Sequence, residues 1–194
     1  MHVALGVVLG AALVIVGIHI GNGAWESEEE KEKALQAQYY ASEVATLVSP
    51  HSLRGRMDKG DKSYILVDTR AKEDYEREHI VGAINIDSAE SLENVLEQYQ
   101  ALDHNKEVII YCYSSSCMNG RKVGNYLAEN GVFVKELTIG WNEWRYDWTG
   151  WNYDTEWDST NVEDYVVSGP EPGEPQFRED AELGGCGVDG ELGC

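Results

Sequence analysis

Two cysteines bracket a short polar loop, "CYSSSC" at residues 112–117, directly after the apolar run Val108–Tyr111. A thiol at the tip of a strand, in a loop that leads into a helix, sits where backbone N–H groups and a helix N-terminus converge. That field lowers a thiol pKa and holds the negative charge of a thiolate. Cys112 is therefore a candidate reactive thiol, beside two plainer readings as half of a structural disulfide with Cys117 or a buried small residue, and Tyr113, Ser114, Ser115 and Ser116 are candidate loop ligands for a bound anion. Three roles are open for Cys117: a thiol that resolves an oxidised Cys112, a standing disulfide partner, or a small apolar residue packed under the helix. The loop holds no cation. Arg121 and Lys122 come next, and Arg121 either folds back over the loop or stays solvated on the following helix. A Cys-x5-Arg phosphate loop would need arginine where Met118 stands, which argues against phosphate-ester chemistry, and Cys-x4-Cys is not the Cys-x-x-Cys of dithiol oxidoreductases.

The elements that would position this loop follow from hydrophobic patterning. "YILVDTR" from Tyr64 and "EVIIYC" from Glu107 are continuous apolar runs, as expected of strands buried on both faces. Shorter strands are expected at "AINI" (83–86) and within "VFVKELTIG" (132–140). Helices are expected at 72–79, at 91–102 through Leu92, Val95, Leu96, Tyr99 and Leu102, and at "RKVGNYLAENG", closed by Gly131. Val44, Leu47 and Val48 have helical spacing behind Ser42, a candidate N-cap. Strands alternating with helices imply an α/β fold with a mainly parallel central sheet flanked by helices, whose sites form at the carboxyl ends of the strands. Cys112 falls at such an end.

These residues resemble the rhodanese-like domain family in three ordered motifs. "LVDTRAKEDYEREHIVGAINI" matches its first signature through Asp68, Arg70, Asp74, Tyr75, His79, Ile80, Gly82, Ala83 and Asn85. Tyr111 and Cys112 match the strand that ends in the active cysteine, and Gly140, Trp141 and Trp144 the Gly-Trp-x-x-Trp close of the domain. The resemblance implies a cysteine persulfide, with sulfur taken from a donor such as thiosulfate and passed to a thiol or cyanide. It also implies structural support from Asp68, Arg70 and His79, with no metal and no cofactor. Family loops usually include a basic residue. This one has none, so an anionic donor is poorly provided for.

Residues 3–20 are 18 apolar positions broken only by His19, about 27 Å of helix at ~1.5 Å per residue, enough to span a bilayer. We expect residues 1–23 to form a transmembrane helix or signal-anchor, with Gly6, Gly10, Gly17 and Gly21 at helix-packing spacing. Residues 24–41 read as a charged juxtamembrane helix or spacer, 42–146 as the rhodanese-like domain, and 147–194 as a Trp-rich, then acidic and Gly/Pro-rich extension. Lys31 and Lys33 pull weakly toward a cytoplasmic bulk. The nearly absent tail before an uncharged span favours an extracytoplasmic, periplasmic domain on a single-pass anchor.

Acidic residues number 35 against 15 Lys and Arg, a net charge of −20 that argues against a nucleic-acid partner. Tryptophans 141, 144, 148, 151 and 157, with Tyr146 and Tyr153, either wrap back over the domain or dock on a partner. Beyond about residue 168 the tail reads as extended or disordered unless a partner orders it, and for Cys186 and Cys194 a disulfide-closed terminal loop, a metal ligand pair and two unpaired thiols are all open. Two functions are expected: a membrane-anchored sulfurtransferase or persulfide carrier using Cys112, or a non-catalytic rhodanese-fold accessory subunit. The latter would sit in a membrane protein complex through helix 3–20 and segment 141–194.

Overall fold

The computed structural model describes residues 27–152 and 160–178, and the chain forms two compact units, 1–43 and 44–194. The expected span 3–20, Tyr153, Trp157, Cys186 and Cys194 lie outside the described residues. Among the described residues, no helix is long and apolar enough to cross a membrane.

The first unit holds most of helix α1 (Glu28–Thr46), built from Glu, Lys, Ala, Leu and Gln, which favour helix. Its start is a reciprocal cap. The Ser27 N–H donates to Glu30 at 2.8 Å, and the Glu30 N–H donates to the Ser27 hydroxyl at 3.2 Å. Ser42 lies inside this helix, donating its hydroxyl to the Gln38 carbonyl at 2.8 Å, and so is not an N-cap.

In the second unit, β1 (Leu47–Val48) takes residues whose spacing suggested a helix. Then follow α2 (Pro50–Asp58), β2 (Tyr64–Asp68), α3 (Lys72–Arg77), β3 (His79–Ile80), β4 (Ala83–Asn85), α4 (Leu92–Gln100), β5 (Glu107–Tyr111), α5 (Met118–Glu129) and β6 (Lys135–Leu137). Ser49 and Ser91 cap α2 and α4 by accepting N–H bonds from Ser52 and Asn94. Gly131, at φ 78°, ends α5 in the left-handed conformation that costs glycine no Cβ clash.

The sheet runs β1-β6-β5-β2-β4 with every pairing parallel. Its central strands bury both faces, which is why they read as unbroken apolar runs. Alternation sorts their side chains: Leu66, Ile109 and Tyr111 join one core with Leu53, Met57, Trp141 and Trp144. Val67, Val108 and Ile110 join another with Val95, Tyr99, Val123 and Leu127.

The chain after β6 adds to the first of these cores. Helices α6 (Trp141–Tyr146) and α7 (Trp148–Trp151) bring Trp144, Trp148 and Trp151 together, with Trp144 and Trp151 ring centroids 4.8 Å apart and Trp148 stacked on Tyr165 at 5.1 Å. A short 3-10 turn (Val162–Tyr165) leads into β7 (Val166–Val167), antiparallel to β3. Residues 168–178 form neither helix nor strand and turn at Gly169 and Gly173, both at positive φ, yet they are held down. Gly169 donates to the Glu76 carbonyl, Gly82 to that of Pro172 and Arg178 to that of Asp58.

Candidate active site

Register brings the site together. β2 and β5 place Asp68 beside Tyr111, and β2 and β4 place Asn85 on the other side of Asp68, so three strand ends finish level and Cys112 follows at once. Asp68 and Arg70 are essentially buried. The guanidinium forks onto the carboxylate, with Nη2 2.7 Å and Nε 3.0 Å from its oxygens, and also donates to the Glu78 carbonyl at 2.8 Å. The Tyr111 hydroxyl donates to Asp68 at 2.6 Å and accepts from the Ile80 N–H at 3.2 Å. Burial opposes the charge on Arg70, yet the Asp68 bonds and charge outweigh it and raise its pKa. Burial, then the Asp68 charge, push the Tyr111 phenol well above its ordinary value. Arg70 also lies 4.4 Å over the Trp141 ring.

The loop is a closed ring. Cys112 is 5% exposed, and its sulfur is bonded to that of Cys117, the N-cap residue of α5. Cys117 N–H donates to the Ser114 carbonyl at 2.9 Å, tightening the turn. The first turn of α6 is stitched to the same loop, Trp141 N–H donating to the Cys112 carbonyl at 2.8 Å and Asn142 N–H to that of Tyr113 at 2.9 Å. Gly140 makes this approach possible, because a Cβ there would lie 2.3 Å from Ser114 N and Cα. Glu143 completes the contact: its carboxylate accepts from Ser115 N–H and the Ser115 hydroxyl, each at 3.1 Å, and from Gly140 N–H at 2.9 Å.

The other residues singled out by sequence divide clearly. Tyr113 anchors the loop to α3, donating its hydroxyl to Asp74 at 2.6 Å and accepting from the Ala71 N–H at 3.3 Å. That bond from Tyr113 is the chief cause of a lowered Asp74 pKa. Ser114 is half-buried against Gly140, while Ser115 and Ser116 are exposed. Arg121 is directed to Glu136 on β6, at 3.3 Å, rather than folded over the loop. His79 is fully buried and stacked 3.7 Å from Tyr75, whose carbonyl it bonds at 2.8 Å; burial lowers its pKa, as befits a structural histidine. Glu143 was missed by the sequence reading. Its signal was there, since a Glu three residues after Gly140 stands at the N3 capping position of a short helix.

Comparison with known proteins agrees with this fold. Residues 49–147 match the family model of the rhodanese-like domain. The chain is 35% identical over 80 residues to the HTH-type transcriptional regulator Rv0324 of Mycobacterium tuberculosis, covering 41% of this chain but only 34% of that protein. It is 29% identical over 85 residues to the thiosulfate sulfurtransferase GlpE of Coxiella burnetii, covering 43% of this chain and 74% of that one. Among solved structures, the BH2092 protein of Bacillus halodurans superposes with a TM-score of 0.52 at 28% identity, over 59% of this chain and 82% of that one. With an all-parallel five-stranded sheet, a cysteine at the end of its central strand and a family match across 49–147, this chain belongs to the rhodanese-like domain family.

Proposed function

We propose that this chain is a membrane-held sulfurtransferase or persulfide carrier in which Cys112 accepts sulfane sulfur and Cys117 discharges it. The observation that carries the reading is the bonding of the two sulfurs at the carboxyl end of β5. The disulfide is the resting, oxidised state. Reduction by a dithiol frees a Cys112 thiolate at the loop, which attacks the outer sulfur of a donor R–S–SH. The donor S–S bond breaks, R–S⁻ leaves and Cys112 keeps the sulfur as a persulfide. The Cys117 thiolate then attacks the Cys112 Sγ, hydrosulfide leaves, and the disulfide returns without an external oxidant. Distant similarity to a thiosulfate sulfurtransferase supports the reaction class.

The apolar segment 3–20 serves in this reading as a single-pass anchor with the domain extracytoplasmic, a compartment in which a disulfide persists. Because Trp141, Trp144 and Trp151 are buried in the domain's own core, a membrane protein complex is met in this reading through 3–20 and the outer face of segment 141–194, and the net charge of −20 leaves nucleic acid out. Protease accessibility in intact cells tests the orientation.

A second reading, a non-catalytic accessory module, is favoured by the 5% exposure of Cys112 and by a loop whose nearest arginines are already paired, Arg70 with Asp68 and Arg121 with Glu136. Intact-mass measurement separates the two. Reduced, desalted Cys117→Ser protein incubated with cysteine hydropersulfide gains one sulfur atom, mapped to Cys112 and absent in Cys112→Ser. No gain from any donor leaves only the module.

A further inference from the structure

The loop that would receive a sulfur donor is already in contact with a negative charge. Both Glu143 oxygens are engaged there, one with the Ser115 hydroxyl and one shared between the Ser115 and Gly140 amides, at 2.9–3.1 Å. Backbone N–H groups and serine hydroxyls are what such a loop can offer an anion. At Ser115 both donors are spent on the protein's own carboxylate. The position is held from both sides, because Trp141 and Asn142 bond the Cys112 and Tyr113 carbonyls and Gly140 packs directly on Ser114. Glu143 is thus a built part of the loop's wall.

Three arginines that could offset it are committed elsewhere. Arg70 forks onto Asp68, Arg121 pairs with Glu136 at 3.3 Å, and Arg145 pairs with Glu78 at 2.8 Å and Glu163 at 3.0 Å. Tyr113, on the loop's other side, is tied to a further carboxylate, Asp74.

We propose that Glu143 is a specificity-determining residue: by holding Ser115 with its own charge, it makes the reduced loop reject dianionic donors of the thiosulfate type and accept weakly charged alkyl hydropersulfides, R–S–SH. The proposal rests on the sulfur-transfer reading above and names its donor class. With thiosulfate, Cys112–S⁻ would attack the sulfane sulfur and expel sulfite, so three negative charges would gather against Glu143. With R–S–SH the reacting form is the neutral hydropersulfide in equilibrium with its R–S–S⁻ monoanion, and the same attack expels one thiolate, so one or at most two negative charges gather rather than three and the carboxylate opposes the step less.

The test uses the full chain in mild detergent with Cys117→Ser to prevent discharge, reduced and desalted, and compares Glu143→Gln and Glu143→Asp with the parent. Loading of Cys112 by cysteine hydropersulfide and by thiosulfate is followed by intact mass, and iodoacetamide alkylation of Cys112 is followed against pH. The parent loads from hydropersulfide at least about tenfold faster than from thiosulfate. Glu143→Gln narrows that ratio at least about tenfold, the size expected when a carboxylate touching the anion-binding donors loses its charge. It also moves the alkylation midpoint to lower pH, whereas Glu143→Asp, which keeps the charge, leaves thiosulfate loading slow. Equal loading from both donors in the parent, or an unchanged ratio in folded Glu143→Gln, overturns the role of Glu143 while the sulfur-transfer reading stands. No loading from either donor in any variant overturns both.

Discussion

Replacing Asp68 by alanine removes the one carboxylate on which Arg70 and Tyr111 converge. Arg70 is 2% exposed and Tyr111 is 1% exposed, so neither can turn to water for a substitute. The guanidinium keeps its bond to the Glu78 carbonyl and its place over Trp141, which softens the loss. Breaking a buried pair from one side costs roughly 3–5 kcal/mol, and an orphaned buried phenol about 1–3 kcal/mol. Because the two share one acceptor they do not add in full. We expect about 4 kcal/mol, close to a thousandfold in the folding constant at about 1.4 kcal/mol per decade and a large share of the roughly 5–15 kcal/mol of a typical domain. Tyr111→Phe leaves the ion pair intact and loses two hydrogen bonds, the charge-assisted one to Asp68 and the one accepted from the buried Ile80 N–H, about 2–3 kcal/mol together. The double change Asp68→Ala with Arg70→Leu removes the buried charge and costs less than Asp68→Ala alone. Urea titration of the full chain under non-reducing conditions, followed by tryptophan fluorescence, measures all three. A cost below about 1 kcal/mol for Asp68→Ala, or a double variant worse than the single, would refute the view that the strand ends are held by this network.

Trp144→Ala empties the centre of the tryptophan cluster, where the ring is fully buried, and lowers stability by roughly 3–5 kcal/mol in the same titration. Gly140→Ala drives a methyl into the Ser114 backbone. The expected signature is a large shift of the Ser115 amide resonance with loss of its protection from exchange, more than a general fall in stability. Acid has a defined effect at Asp61. Burial opposes its ionisation, but bonds from Ser63 and Arg56 win and pull its carboxyl down to about 2, from an ordinary value near 3.8. A lowered native pKa stabilises the fold above the unfolded value, so this contribution is complete at pH 5 and disappears as pH falls from 4 toward 2. Asp61→Asn should flatten the urea midpoint over that window and leave its slope above pH 5 unchanged.

The central strands and their order of alternation with helices were legible because a strand buried on both faces leaves a short unbroken apolar run, set apart from the 18-residue run 3–20 by its length and by the charged residues that close it. Cys112 was legible for the same reason, being the first residue past such a run. Leu47 and Val48 were misread, since two residues of an edge strand carry no period of their own and their neighbours in α1 supplied a helical one. The β3–β7 pairing joins His79 to Val167, and no local pattern announces a contact across so much chain. Glu143 was overlooked because a glutamate on a short helix is usually a solvated residue, and only the fold brings it to Ser115.

The account turns on Cys117 discharging a persulfide on Cys112. Full-length reduced protein, loaded with cysteine hydropersulfide and freed of excess donor, should release one hydrosulfide per chain, measured by methylene blue, while its mass returns to that of the disulfide form. Cys117→Ser should hold its extra sulfur and release none. A wild-type persulfide as long-lived as that of Cys117→Ser, or a chain that never takes up the sulfur, would contradict the account.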